Sequence, residues 1–208
     1  MDRVLNFDYT EQELQEWQRN RGRKIDEKEI RTQCRNRLSN AQGQHFEREI
    51  LAGCRRYKDL GLAVIDKTPE PFRVMKKNPN GVFTGRFTAL AQPDFQGTLK
   101  NGRSIVFEAK MTLKDRIQRN VLTDTQMQAL EAHEGLGAFA AVCVSISNGF
   151  YFIPWEAWRD MKDIYGHQYV TPEQIAEYEV KFDGSVRFLE YKNKVTQEVM
   201  TGVWGLDT

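Results

Sequence analysis

The sequence predicts an α/β protein in which a mixed central sheet lies between layers of helices, and three patterns support this fold class. Apolar residues at helical spacing run through residues 46–57 and precede a short apolar strand at 62–65. Two alternating segments flank the tight turn Lys100-Asn101-Gly102, which is a strong hairpin signal. A helical segment at 124–133 precedes a buried strand at 138–145. Elements in this order are typical of a layered α/β domain.

The two ends of the chain predict different local structures. Residues 1–39 have helical patterns, the second of which begins near Asp26, and we expect a pause in the helix at 39–43. Residues 179–191 surround the turn Asp183-Gly184 and predict a terminal hairpin. We therefore expect a helical arm at 1–39, a central domain at 40–178 and a C-terminal hairpin extension at 179–208.

The composition indicates a folded protein of ordinary domain size. Of its 208 residues 40% are hydrophobic and 28% are charged, which excludes an intrinsically disordered chain. No apolar run approaches the roughly 20 residues of a membrane span, and the first residues lack the apolar stretch of a secretory signal. Three widely spaced cysteines form no disulfide pattern. We expect a cytoplasmic protein that does not bind membranes.

Charge is distributed unevenly along the chain. The formal net charge is only +1, yet residues 19–120 carry 23 basic and 11 acidic side chains, a net of +12. The remaining residues have a net charge of −11. This asymmetry indicates a basic face suited to a polyanion such as DNA. The alternative is that folding mixes the two sets of charges.

A basic segment without acidic residues lies at 72–92. The motif Asn78-Pro79-Asn80-Gly81 within it is typical of a hairpin turn, so we expect a basic two-stranded projection or a flexible loop. Its candidate contacts for DNA phosphates are Arg73, Lys76, Lys77 and Arg86. Arg116 and Arg119, which follow the second strand of the central hairpin, are two further candidates.

The central hairpin carries charged residues that suggest chemistry. It places Asp94 and Glu108 on neighbouring strands, and side-chain alternation puts Glu108 and Lys110 on one face. Two carboxylates beside a lysine suit metal-assisted phosphodiester cleavage, because carboxylates hold Mg²⁺ and an ammonium can orient water or offset charge. The backbone carbonyl of Ala109 is a further candidate ligand. The alternative is a turn residue, Asp94, and a solvated strand face that carries Glu108 and Lys110.

Together with two other residues, this set resembles the PD-(D/E)xK nuclease superfamily. The pattern consists of Glu47, Pro93-Asp94, Glu108-Ala109-Lys110 and Gln126. The resemblance is closer to the RecU-type Holliday-junction resolvases and covers about residues 40–175. It rests on these motifs: Asn40-x-x-Gly43-x-x-Phe46-Glu47, Ala63-Val64-Ile65-Asp66-Lys67-Thr68-Pro69, Asp94-Phe95-Gln96-Gly97, Phe107-Glu108-Ala109-Lys110-Met111-Thr112 and Phe150-Tyr151-Phe152-Ile153-Pro154.

This resemblance implies a restriction-endonuclease-like core at 40–178, with a projecting basic stalk at 72–91 that enters a DNA junction. It also implies a homodimer that uses Mg²⁺, or Mn²⁺ in its place, to cut four-way junctions by paired nicks. The implied catalytic residues are Asp94, Glu108, Lys110, Glu47 and Gln126. Asp94 and Glu108 are the implied metal ligands, and Glu47 is expected to act through water.

Other functions fit the same residues. One is a nuclease of the same superfamily that acts on linear duplex or on other DNA structures. Another is a non-catalytic module that binds junctions, although the complete acid–acid–lysine set argues against it. A protein-interaction domain is disfavoured by the net charge of +12 over residues 19–120. The leading expectation is a nuclease of DNA recombination and repair in a bacterial cell or a phage-infected host cell.

Overall fold

A computed structural model describes residues 27–69, 72–77, 83–87 and 92–192. The expected helix within residues 1–26 and the expected turn at 78–81 lie outside the described residues. Two compact units make up the chain, Met1–Ala41 and Gln42–Thr208. In the part of the chain that is described, no helix is both long enough and apolar enough to cross a bilayer.

A single helix, α1 (Glu27–Asp59), precedes the sheet. The pause expected at 39–43 is absent, so that prediction was wrong. The segment contains no proline, and a lone glycine such as Gly43 weakens a helix by only about 1 kcal/mol without ending it. The apolar residues of the predicted face are buried as their spacing indicates: Phe46, Ile50, Cys54 and Tyr57.

Five strands form the central sheet, and they follow one another across it as β1, β4, β5, β7 and β8. Their bounds are Ala63–Lys67, Phe95–Leu99, Ser104–Thr112, Phe139–Ile146 and Gly149–Pro154. Strands β5 and β7 are parallel, and the other neighbouring pairs are antiparallel. A parallel pair needs a crossover connection, and helix α2 (Asp124–Gly135) lies in that connection. The predicted mixed sheet is confirmed.

Three small antiparallel sheets accompany the central one. Strands β2 (Phe72–Lys77) and β3 (Phe83–Phe87) form the expected basic hairpin. Strands β6 (Ile117–Gln118) and β9 (Tyr169–Val170) pair with each other. The expected terminal hairpin consists of β10 (Val180–Phe182) and β11 (Val186–Tyr191). Two short helices, α3 (Trp155–Arg159) and α4 (Met161–Tyr165), follow β8.

The central sheet separates two hydrophobic cores, because alternate residues of β5 point to opposite faces. Ile105 and Phe107 belong to one core, together with the buried face of α1 and the hairpin β10–β11. Val106 belongs to the other, together with Leu130 of α2 and Trp158 of α3. The result is a layered arrangement with helices on both faces of the sheet.

Phe107 is the centre of an aromatic cluster beneath the sheet. Its ring centroid lies 4.9 Å from that of Phe95, 5.2 Å from Phe152 and 5.0 Å from Phe188. Such pairs contribute about 0.5–1.5 kcal/mol each beyond the area that they bury. The cluster therefore joins β4, β5, β8 and the terminal hairpin, and it fixes the position of β5.

Two glycines of α1 provide a matched test of this packing. A Cβ at Gly53 would lie 2.2 Å from the backbone oxygen of Val186, whereas a Cβ at Gly43 would meet no atom within 4 Å. We expect Gly53→Ala to destabilise the protein by about 1–3 kcal/mol, because the close contact must open. Gly43→Ala should stabilise it by about 0.5–1 kcal/mol through helix propensity. Urea unfolding measures both, and equal stabilities would contradict the packing of α1 against β11.

Candidate active site

Asp94 is fixed between the ends of two strands. Strands β4 and β5 pair from Thr98 opposite Ser104 to Phe95 opposite Phe107. Beyond that point the Ala109 N–H donates to Asp94 Oδ2 at 3.0 Å, so a carboxylate accepts the bond. The Thr68 N–H donates to the Asp94 carbonyl at 2.8 Å. The strand therefore begins after Asp94, and the carboxylate is held at the edge of the sheet beside β5.

Glu108 lies within the sheet and is fully buried, with 0% of its surface exposed. Gln126 Nε2 donates to Glu108 Oε2 at 2.5 Å, and Lys110 Nζ lies 3.5 Å from the same oxygen. The other oxygen, Oε1, is buried and receives no hydrogen bond within the described residues. A solvated strand face is therefore the wrong description of Glu108.

The surroundings of Glu108 favour its protonated form. Burial is the largest cause and the Asp94 carboxylate the next, and together they raise the pKa of Glu108 to about 8. The Lys110 ammonium opposes them and lowers the pKa. The ionised form of Glu108 is thus disfavoured where no cation is present, which is unusual for a carboxylic acid.

The pair Asp94 and Glu108 fits a divalent cation. Glu108 Oε1 is a buried oxygen without a donor, and a cation there would offset the raised pKa that burial and Asp94 cause. Within the described ranges no group of three or more His, Cys, Asp or Glu side chains could hold a metal. The remaining ligands would have to be a backbone carbonyl, water or substrate oxygens, which is a usual arrangement for Mg²⁺.

Gln126 connects this pair to the helix behind it. Thr123 is the N-cap of α2 and Gln126 is the third helical residue, and the two form a capping box. Gln126 Oε1 accepts from the Thr123 N–H at 3.1 Å, which leaves the Nε2 group to donate to Glu108. The helix that the sequence predicts after β5 therefore orients one oxygen of the buried carboxyl group.

Glu47 is bound to a residue outside the pair of Asp94 and Glu108. Its Oε2 is 2.5 Å from Lys67 Nζ, and Lys67 ends β1 opposite Phe95, the residue that follows Asp94. Sequence reasoning singled out Glu47 and missed Lys67. Lys67 follows Asp66 at the end of the apolar strand and belongs to one of the motifs of the resemblance, but neither observation indicates its partner on α1.

The candidate DNA contacts divide into exposed cations and cations held by the protein. Arg73 and Arg86 lie opposite each other across β2–β3, and both are exposed, as is Lys76. Like charges directly opposite repel each other, so this hairpin would gain from a bound anion. The side chain of Lys77 lies outside the described part of the chain.

The two arginines that follow β5 differ in their contacts. Arg116 is exposed, and its Cζ lies 4.9 Å from the ring centroid of Tyr169. Arg119 is half-buried, and its Nε donates to the Arg159 carbonyl at 3.2 Å. Arg119 is thus partly used within the protein, whereas the guanidinium of Arg116 faces solvent beside an aromatic ring.

Glu108→Gln tests the buried carboxyl group without a large change of shape. The pKa of Glu108 is raised to about 8 in the folded protein, against about 4.3 in an unfolded chain. The folded state thus binds more protons between these values, and its stability falls as pH rises through them. A glutamine cannot ionise, so we expect Glu108→Gln to raise the Tm of the metal-free protein by at least about 3 °C at pH 8.5.

The Tm gain of the same variant should be much smaller at pH 5, where folded Glu108 keeps its proton and only the unfolded chain is largely ionised. Scanning calorimetry in EDTA at the two pH values measures the effect. Asp115→Asn, which removes an exposed carboxylate, is the control and should behave alike at both values. A Tm gain of equal size at pH 5 and pH 8.5 would contradict the raised pKa of Glu108.

Known proteins resemble the chain to different degrees. No curated protein matches it. Among solved structures, Archaeoglobus fulgidus Hjc, a Holliday junction resolvase from an archaeal hyperthermophile, aligns over 55% of this chain and 74% of its own, with 16% identity and a TM-score of 0.37. The RecU family, described as Recombination protein U, matches residues 41–197. Because that match covers most of the sequence, the chain belongs to the RecU family of Holliday-junction resolvases.

Proposed function

We propose that this protein cuts four-way DNA junctions by metal-dependent hydrolysis of phosphodiester bonds, with Asp94, Glu108 and Lys110 at the reacting phosphate. The observation that carries this proposal is the fully buried carboxyl group of Glu108, with one oxygen that has no donor in the described structure. A buried polar atom without a partner costs free energy. Such a cost is retained where the atom has a ligand to bind, and the neighbouring Asp94 carboxylate indicates a cation.

The cation is proposed to be Mg²⁺, with Mn²⁺ able to replace it, because the available ligands are hard oxygen atoms. Asp94 and Glu108 would hold it, and the backbone carbonyl of Ala109 would be a third ligand. When bound, a divalent cation polarises a phosphate oxygen and makes water a better nucleophile. Gln126 supports this arrangement, since it occupies Glu108 Oε2 and leaves Oε1 for the ligand.

Lys110 is proposed as the group that acts on the phosphate. Its side chain is 23% exposed and its ammonium nitrogen lies 3.5 Å from Glu108 Oε2, so the side chain lies between the buried carboxyl group and the solvent. From there it can donate to a non-bridging phosphate oxygen or orient the attacking water. Glu47, held by Lys67 at the same edge of the sheet, is proposed to act through a water molecule.

The remaining parts of the proposal concern the DNA. The hairpin β2–β3, within the stalk at 72–91, would enter the junction, where its exposed cations meet converging phosphates. Paired nicks need two active sites related by symmetry, and a homodimer supplies them through its two-fold axis. We therefore propose that two copies of this chain act together on one junction.

Cleavage of a labelled mobile four-way junction in Mg²⁺ tests the function, with linear duplex of the same sequence alongside. We expect paired, symmetric nicks on the junction only. Asp94→Ala and Lys110→Ala should each lower the rate by at least about 100-fold. The control is Lys100→Ala, which removes one positive charge in the turn at the opposite end of the β4–β5 hairpin.

Each other result has a definite meaning. Equal cutting of junction and duplex would support nuclease activity but contradict selectivity for junctions. Tight junction binding without any cutting would favour a non-catalytic binding module. Full cleavage by Asp94→Ala would reject the assigned active site, and undiminished paired nicking by an isolated monomer would reject the dimer.

Variants at Gln126 and Thr123 distinguish the two roles of Gln126, which are to orient Glu108 and to cap α2. Each variant, Gln126→Ala or Thr123→Ala, breaks the capping box and should cost about 1 kcal/mol of stability. Only Gln126→Ala also removes the donor to Glu108. We expect cleavage to fall about 10–100-fold in Gln126→Ala and to change little in Thr123→Ala. Equal rates in the two variants would mean that Gln126 only caps the helix.

A further inference from the structure

Arg116 lies in the short segment that connects β5 to α2. Strand β5 contains Glu108 and Lys110, and the chain then passes through β6 to Thr123, the N-cap of α2. Because α2 returns Gln126 to Glu108, both ends of this segment are attached to the active site. Strand β6 pairs with β9, which places Gln118 opposite Tyr169. Residues from 167–174, distant in sequence, are thereby brought beside Arg116.

Tyr169 lies between an imidazole ring and a guanidinium group. The His167 ring is parallel to that of Tyr169, with centroids 3.7 Å apart and an interplanar angle of 3°. Arg116 Cζ lies over the same Tyr169 ring at 4.9 Å. A ring has two faces and the imidazole covers one of them, so the guanidinium lies against the other. The three side chains form a stack, which we call the Arg116 stack.

The hydrogen bonds around His167 fix the orientation of its ring. Gln174 Oε1 accepts from the Thr171 N–H at 3.2 Å, which turns the Gln174 Nε2 group toward His167 Nε2 at 3.3 Å. An amide NH₂ only donates, so His167 Nε2 must accept. The proton then sits on Nδ1, which donates to the Tyr169 carbonyl at 2.8 Å. The His167 ring is thus held at both nitrogens, and it packs against one face of the Tyr169 ring.

Arg116 differs from other arginines of the central domain in the use of its guanidinium. Arg103 also lies over a ring, but it donates to the carbonyls of Gly137 and Ala138, and Arg119 donates to that of Arg159. In the described part of the chain Arg116 forms no ion pair or hydrogen bond through its side chain. Stacking on a ring leaves the N–H groups in the guanidinium plane available to a phosphate.

We propose that the Arg116 stack is a phosphate-binding site for the DNA strand that leads to the active site, and that Tyr169 and His167 are positioning residues for it. The proposal rests on the proposed function, since it deepens the account of how that enzyme holds its DNA. Arg116 contacts the phosphate. Tyr169 restricts the guanidinium to one orientation, which lowers the entropy lost on binding. His167 and Gln174 hold the Tyr169 ring in place.

The test is equilibrium binding of a four-way junction in Ca²⁺, over a range of salt concentrations, together with steady-state cleavage in Mg²⁺. Arg116→Ala should weaken binding about tenfold and reduce the slope of log Kd against log salt by about one. Tyr169→Leu should weaken binding about threefold, whereas Tyr169→Phe, which keeps the ring, should bind as the wild type does. In cleavage the loss should appear in KM, with kcat within about twofold.

The double variant distinguishes positioning from a general structural role. If Tyr169 acts through Arg116, then Arg116→Ala with Tyr169→Leu should bind no more weakly than Arg116→Ala alone. Additive losses, or an unchanged salt slope in Arg116→Ala, would overturn the proposal. Lys100→Ala is the charge-matched control and should leave binding within about twofold. If Tyr169→Leu fails to fold, the comparison of Arg116→Ala with Arg116→Lys tests the proposal. The lysine keeps the charge but not the planar group on the ring, so Arg116→Lys should also bind more weakly than the wild type.

The outcome is separable from that of the proposed function. Binding in Ca²⁺ needs no cleavage, so a protein that binds junctions without cutting them can still depend on Arg116 and Tyr169. In that case this inference stands and the proposed activity fails. If Arg116→Ala cleaves the junction with a wild-type KM, the proposed activity stands and this inference fails.

Discussion

The burial of one carboxyl group constrains the rest of this active site. Glu108 is fully buried in the central sheet, where burial and the neighbouring Asp94 raise its pKa to about 8. Its surroundings must supply donors and a countercharge, because an isolated buried carboxylate is costly. Gln126 and Lys110 supply them from the next helix and the same strand. The start of α2 is thus tied to the chemistry of β5, since one glutamine both caps the helix and orients the carboxyl group.

The position of Glu108 depends equally on the opposite face of β5. Phe107, its neighbour, is surrounded by Phe95, Phe152 and Phe188 from three other strands. The terminal hairpin is further attached to α1, where Tyr57 Oη accepts from the Leu189 N–H at 3.1 Å. Since side chains alternate along a strand, a Phe107 fixed on one face fixes Glu108 on the other. The aromatic core therefore helps to position Glu108 from the opposite face of the strand.

Local patterns in the sequence were sufficient for the central sheet and for several of the residues that meet around Glu108. Strand alternation placed Glu108 and Lys110 on one face, and the start of a helix placed Gln126 after them. The helix pause at 39–43 was predicted wrongly, because polar residues and a glycine do not end a helix that lacks a proline. Lys67 and Tyr169 were missed for a different reason. Their partners, Glu47 and Arg116, are distant in sequence, and only the register of β1 with β4 and of β6 with β9 brings them near.

The uneven charge of the sequence persists in the ion pairs of the folded chain. Within the described residues, each ion pair joins two groups from the basic segment 19–120 or two groups from the acidic remainder. Arg159 and Arg187, for example, are neutralised by acidic residues of their own part of the chain. None of the ion pairs of the described residues therefore joins an acidic residue of the remainder to a cation of the basic segment. Arg73, Arg86 and Arg116 are exposed and form no ion pair within the described residues, so their charges are available to a polyanion.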